Sequence, residues 1–156
     1  MILSSDSHVI EPPNLWVDRI EPRFRDRAPM VKREGEFDYW YIDGHRSNSF
    51  HGGTQPGERF DNPENVRDGA KFEEVRPGGY IPAEHLKDNE SDGVWGSVLY
   101  PNEGLVTYAI PDGELLSAIC RVYNDWLAEF CSANPRRLKG IAMINVDDVE
   151  EAVREL

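Results

Sequence analysis

From Leu115 to Phe130 the chain repeats apolar side chains every three or four residues: Leu115, Leu116, Ile119, Val122, Tyr123, Trp126, Leu127 and Phe130. That spacing gathers them on one broad face of an α-helix, which Asp112 can cap and Pro135 must end, so a helix is expected to about Ala133. A face so wide has to be covered. Val94 to Tyr100, with Pro101 just beyond it, reads as a strand, and Lys139 to Val146 reads as a buried one. Strand, helix, strand in that order implies a parallel pair with the helix packed across it.

The same alternation extends both ways. Residues 1–6 read as a short buried strand, and residues 13–20, with Pro13 near the start, suit a short helix. A helix is expected from about Pro82 to Asp92, closed by Gly93, and Asp147 with Glu150 three residues on opens another. Between the first helix and Pro82 the texture changes. Met30 to Glu34 and Phe37 to Ile42, joined by Gly35-Glu36, read as a β-hairpin, and Asp43-Gly44 turns into a third short strand from His45 to Phe50. From His51 to Gly79 no period is visible, and a long irregular excursion is expected.

Three βα units are too few for a closed barrel, which takes eight strands and about 250 residues. The alternatives are a small open α/β domain or the N-terminal part of a (β/α)8 TIM-type barrel. Leu156 falls within an apolar helical pattern with no C-cap signal after it, which favours the second. On that reading residues 1–156 are a single partial barrel domain, truncated at its C-terminus, with an insertion at about 29–80.

A net charge of −12 argues against a nucleic-acid partner. No signal segment or membrane-length apolar run is present, so a cytoplasmic protein is expected. Cys120 and Cys131 fall eleven residues apart on one helix, about 16 Å along its axis, too far for a mutual disulfide. Both read as small buried hydrophobes.

In parallel α/β folds ligands bind at the C-terminal ends of the strands. There, after the first strand, stands Asp6-Ser7-His8, a carboxylate and an imidazole two residues apart and so on one strand face. That is a common way to present two ligands of a divalent metal, although local hydrogen bonding would suit the pair as well. Glu11 could reach substrate from the following loop. Pro101 to Gly104 and Val146-Asp147 occupy the ends of the other two strands. His45 and His51 read as exposed loop residues, and His85 as a surface residue of a polar helix.

Ser5-Asp6-Ser7-His8-Val9-Ile10-Glu11-Pro12 resembles the opening strand of the amidohydrolase-related (amidohydrolase 2) family, which includes aminocarboxymuconate semialdehyde decarboxylase and resorcylate-type decarboxylases. Asp92-Gly93-Val94 with Val98-Leu99-Tyr100-Pro101 is similar to that family's second barrel strand. The run from Cys120 through Tyr123-Asn124-Asp125-Trp126 to Asn134-Pro135-Arg136-Arg137-Leu138 and Ala142 resembles its characteristic helix and third strand. The resemblance implies a metal-dependent hydrolase or non-oxidative decarboxylase, holding one zinc or manganese ion and acting on a small, often aromatic, carboxylic acid. Asp6 and His8 would be metal ligands. The family's first strand commonly carries His-x-His, so Asp6 is a departure that makes manganese a candidate beside zinc. Its remaining ligands and catalytic residues lie on later strands, so none is expected here and the chain alone is expected to be inactive. The reading set against this enzyme is a non-catalytic interaction module that uses the aromatic hairpin and long loop as its contact surface. A third is a homo-oligomer that covers an open sheet edge.

Overall fold

The computed structural model describes residues 1–54 and 69–156. In chain order the elements are β1 (Ile2–His8), α1 (Leu15–Arg19), β2 (Met30–Glu34), β3 (Phe37–Ile42), β4 (His45–Ser49), α2 (His51–Thr54), α3 (Pro82–Ser91), β5 (Val94–Tyr100), α4 (Gly113–Ser132), β6 (Leu138–Gly140) and α5 (Val149–Glu155). Short 3-10 turns at Pro22–Phe24, Phe72–Glu74, Pro77–Gly79 and Glu103–Ala109 complete the described chain. The irregular excursion expected from His51 falls partly on residues 55–68, which lie outside the described residues.

Two sheets result. β1, β5 and β6 form a parallel sheet with β5 at its centre, and β2, β3 and β4 form an antiparallel one. Helix α4 begins where Asp112 accepts hydrogen bonds from the Glu114 and Leu115 N–H groups at 3.1 and 3.2 Å. Its eight-residue apolar face is buried as the periodicity predicts, against β6 and α1. Trp16 of α1, fully buried, donates its indole N–H to the Ile119 carbonyl of α4 at 3.1 Å.

The hairpin is stitched into this core. Its Asp43-Gly44 turn holds both residues at positive φ, 47° and 78°, the conformation a two-residue hairpin turn requires. Alternate β3 residues Trp40 and Ile42 point inward. Trp40 meets Trp16 edge-on at 5.6 Å between ring centroids, and an aromatic file continues through Phe50 and Phe72 to Tyr80. On the outer face, Lys32 covers the Tyr41 ring at 4.4 Å and Arg46 covers Tyr39 at 3.9 Å. Arg27 reaches both Asp43 of the turn and Asp112 of the α4 cap.

Four expectations are corrected. The first strand is exposed instead of buried: Ile2 and Leu3 are 59% and 58% accessible, because among the described residues β1 has a neighbour on one side only. The strand expected over Lys139 to Val146 pairs only as far as Gly140. Beyond it the Asn124 side chain takes both the N–H and the carbonyl of Met143, at 2.8 Å each, in place of a ladder. Helix α5 is capped by Asp148, not Asp147, through the Glu151 N–H at 2.9 Å. His85 is packed, not superficial: its Nδ1 donates to the Gly78 carbonyl at 3.0 Å, and its ring meets Phe130 edge-on.

Candidate metal centre

The register of β1 on β5 sets His8 opposite Tyr100, at the C-terminal end of both strands. Asp6 and His8 project from one face, with the Asp6 Oδ1 and His8 Nε2 atoms 3.6 Å apart and the side chains 80% and 43% exposed. The other ring nitrogen is committed: Nδ1 lies 2.8 Å from the carbonyl oxygen of Pro101. A carbonyl can only accept, so Nδ1 carries the hydrogen, and a neutral His8 has its lone pair on Nε2. This is the arrangement metal-binding imidazoles use, with the far nitrogen donating to a fixed oxygen.

The donor set fits a divalent cation. A tetrahedral ion at about 2.0–2.2 Å from each of two donors sets them roughly 3.3–3.6 Å apart. The observed gap is of that size, and it is too long for a direct hydrogen bond between the two side chains. Among the described residues no group of three or more His, Cys, Asp or Glu side chains converges, so these residues present a pair of donor atoms and no closed cage.

Glu11, expected beside substrate, stands behind the pair. It is fully buried. Its Oε1 accepts from the Asn102 and Gly104 N–H groups at 3.1 and 3.0 Å, and its Oε2 from that of Glu103 at 3.0 Å. Burial holds its pKa above the usual carboxylate range, and these backbone donors offset only part of that rise. Since both oxygens accept, the geometry suits the carboxylate form. The close approach needs a glycine at 104, where a Cβ would lie 3.1 Å from Oε1, 2.9 Å from the Pro101 Cβ and 2.7 Å from the Met143 sulfur.

Sequence reasoning missed Glu103. Only 2% exposed, it accepts a 2.7 Å hydrogen bond from the Ser47 hydroxyl of β4. Burial, with a smaller push from the Glu11 charge and against the pull of the Ser47 hydrogen bond, raises its carboxyl to about 7. The signal available in the sequence was its place just after a strand, without any hint of the serine that would face it. His45 and His51 are exposed, as expected. Cys120 and Cys131 are free thiols, the first buried and the second half-buried, and burial pushes Cys120 up to about 12.

A polar cleft of about 850 Å³ opens elsewhere, between the Pro22 turn and the N-terminal ends of α4 and α5. Its cations are already paired, Arg23 with Glu21 and Glu114, and Arg121 with Glu21 and Glu151. Neither Asp6 nor His8 lines it.

No family model matches the chain, and no curated protein matches it. Among solved structures, it is similar to the crystal structure of an amidohydrolase from Mycobacterium avium subsp. paratuberculosis, with a TM-score of 0.72 and 17% identity. The match covers 99% of this chain and 44% of that one, so the chain spans under half the length of the structure it matches. The likeness is one of fold. The chain has an amidohydrolase-like α/β fold built on a parallel sheet. No helix among the described residues is long and apolar enough to cross a membrane.

Proposed function

We propose that Asp6 and His8 are two ligands of a divalent cation, zinc or manganese, at the mouth of a (β/α)8 barrel whose N-terminal part is residues 1–156. The complete barrel is then a metal-dependent hydrolase or non-oxidative decarboxylase acting on a small, often aromatic, carboxylic acid or a related compound. One observation carries the reading: an exposed carboxylate and a lone-pair nitrogen, 3.6 Å apart at a strand's C-terminal end, with the opposite nitrogen occupied by a backbone carbonyl. The fold likeness to an amidohydrolase supports it.

The chain's own groups divide the work. Asp6 brings negative charge and a hard oxygen, which favours divalent cations over neutral ligands. His8 brings a directed nitrogen, held by Pro101 so that no rotamer search is needed on binding. A cation held there supplies Lewis-acid charge, which serves hydrolysis of a carbonyl compound and decarboxylation of an acid alike.

Calorimetric titration of Zn²⁺ or Mn²⁺ into the 156-residue chain tests this. Weak binding of one ion is expected, with affinity falling by at least roughly tenfold in both Asp6→Asn and His8→Ala. Equal affinity in wild type and both variants would overturn the assignment. Nanomolar affinity of the wild type for one ion would contradict a site shared with later strands.

A further inference from the structure

We infer that Glu11 is a positioning residue for His8: by clamping the backbone from Asn102 to Gly104 it fixes the Pro101 carbonyl that sets which imidazole nitrogen faces out. The inference rests on the reading of His8 as a ligand, and it accounts for a buried carboxylate that ligand chemistry alone leaves unused.

The argument starts from the end of β5. Pro101 has no N–H, so the strand ladder stops there, and the chain turns into the 3-10 segment Glu103–Ala109. The first N–H groups of such a segment have no partner within it. Asn102, at the capping position, makes no side-chain cap of its own. Glu11 makes the cap instead, from more than ninety residues away in sequence, with hydrogen bonds to three successive N–H groups.

The same short stretch, residues 8 to 11, makes two further hydrogen bonds to this turn. His8 donates to the Pro101 carbonyl at 2.8 Å, and the Val9 N–H donates to the Tyr100 carbonyl at 3.0 Å. Imidazole, backbone and carboxylate therefore grip residues 100–104 at successive points. Val9 and Glu11 are both fully buried, so water is not at hand to replace a lost contact. Replace the carboxylate by an amide, and one oxygen can still accept, but the NH2 that replaces the other cannot, so one of the two buried N–H groups, Glu103 or Gly104, loses its acceptor and the turn that presents Pro101 loosens.

The consequence is readable at His8 without any metal. Two-bond proton–nitrogen NMR spectra distinguish Nδ1–H from Nε2–H imidazoles, and at pH 8.5 an ordinary imidazole is neutral. Wild-type His8 is expected in the Nδ1–H form. Glu11→Gln, which places an amide where a carboxylate was needed, is expected to lower the ratio of Nδ1–H to Nε2–H by roughly tenfold. His85 provides the internal standard, because its Nδ1 also donates to a carbonyl, that of Gly78 at 3.0 Å, and should stay unchanged.

An unchanged His8 spectrum in a folded Glu11→Gln protein would overturn the inference. If His85 moves with His8 the variant has lost its fold, and Gly104→Ala then decides. Its added methyl crowds Pro101 and Glu11 without altering charge, so a response at His8 alone supports the inference and none defeats it. Because the spectra are recorded metal-free, failure of the tautomer prediction and failure of metal binding are separate results.

Discussion

Replacing Glu103 by Gln should make the protein more resistant to unfolding, and increasingly so as pH rises. Glu103 is a carboxyl shut away from water with one side-chain donor, the Ser47 hydroxyl at 2.7 Å, and with the Glu11 carboxylate adding like charge. Folding raises it from an ordinary 4.5 to about 7. For an acid whose folded value is raised, the unfolded chain ionises first, so stability is lost as pH climbs from the unfolded value to the folded one. Moving from 4.5 to about 7 corresponds to roughly 3 kcal/mol once both states are ionised. Glutamine keeps an oxygen to accept from Ser47 and removes the titration. The assay is urea unfolding of both proteins between pH 5 and pH 8, taking the difference at each pH so that titrating groups that do not interact with Glu103 cancel. The variant's advantage should widen by about 2–3 kcal/mol across that range, or roughly 1 M in urea midpoint, and level off above pH 7. A difference that stays flat, or narrows on raising the pH, would refute the assignment of Glu103 as a buried acid with a raised pKa.

Two further outcomes follow from the fold. Asp112→Ala removes the α4 cap and one partner of Arg27, and should lower the midpoint of a denaturant melt, with no pH-dependent component above pH 6 because the Arg27 guanidinium holds this carboxyl below its usual range. Leu3→Lys places a charge on the exposed edge strand, where Leu3 is 58% accessible, and should reduce concentration-dependent light scattering. Scattering that grows equally in both proteins would exclude that edge as a route of self-association.

Where the chain's instructions were local, they could be read. Helix α4 repeats its apolar period from Leu115 to Phe130, and the hairpin is spelled by Gly35 and Asp43-Gly44 between alternating aromatics. Asp6 and His8 were legible for the same reason, since period-two spacing alone puts them on one face. Long-range partners were not legible. Ile141 to Val146 is apolar enough for a strand, yet the Asn124 amide supplies what a neighbouring strand would have given. The α5 cap turned on a choice between two adjacent aspartates, and Asp147 is drawn off when its N–H donates to Asn145. Glu11, before two prolines, looks solvated until Asn102 to Gly104 arrive from the far end of β5. Spacing in sequence carries no trace of such a contact.

The insertion belongs to this same network. The described hairpin commits part of its aromatic surface to the core, while Phe37, Tyr39 and Tyr41 stay half-buried. Trp40 and Phe50 are buried in the common core, while Tyr39 and Tyr41 lie beneath Arg46 and Lys32. Asp38 is buried too, bound by Arg33 and by the Phe72 N–H, which fastens the hairpin to the segment that leads toward α3. Its far strand ends the chain of contacts: Ser47 donates to Glu103, whose own N–H donates to Glu11. The antiparallel sheet is thus joined by two hydrogen bonds to the carboxylate that steadies the turn beside His8. Packing of that kind ties the hairpin to the turn after β5, and it explains why a sequence so rich in surface charge keeps two glutamates out of water at one strand end.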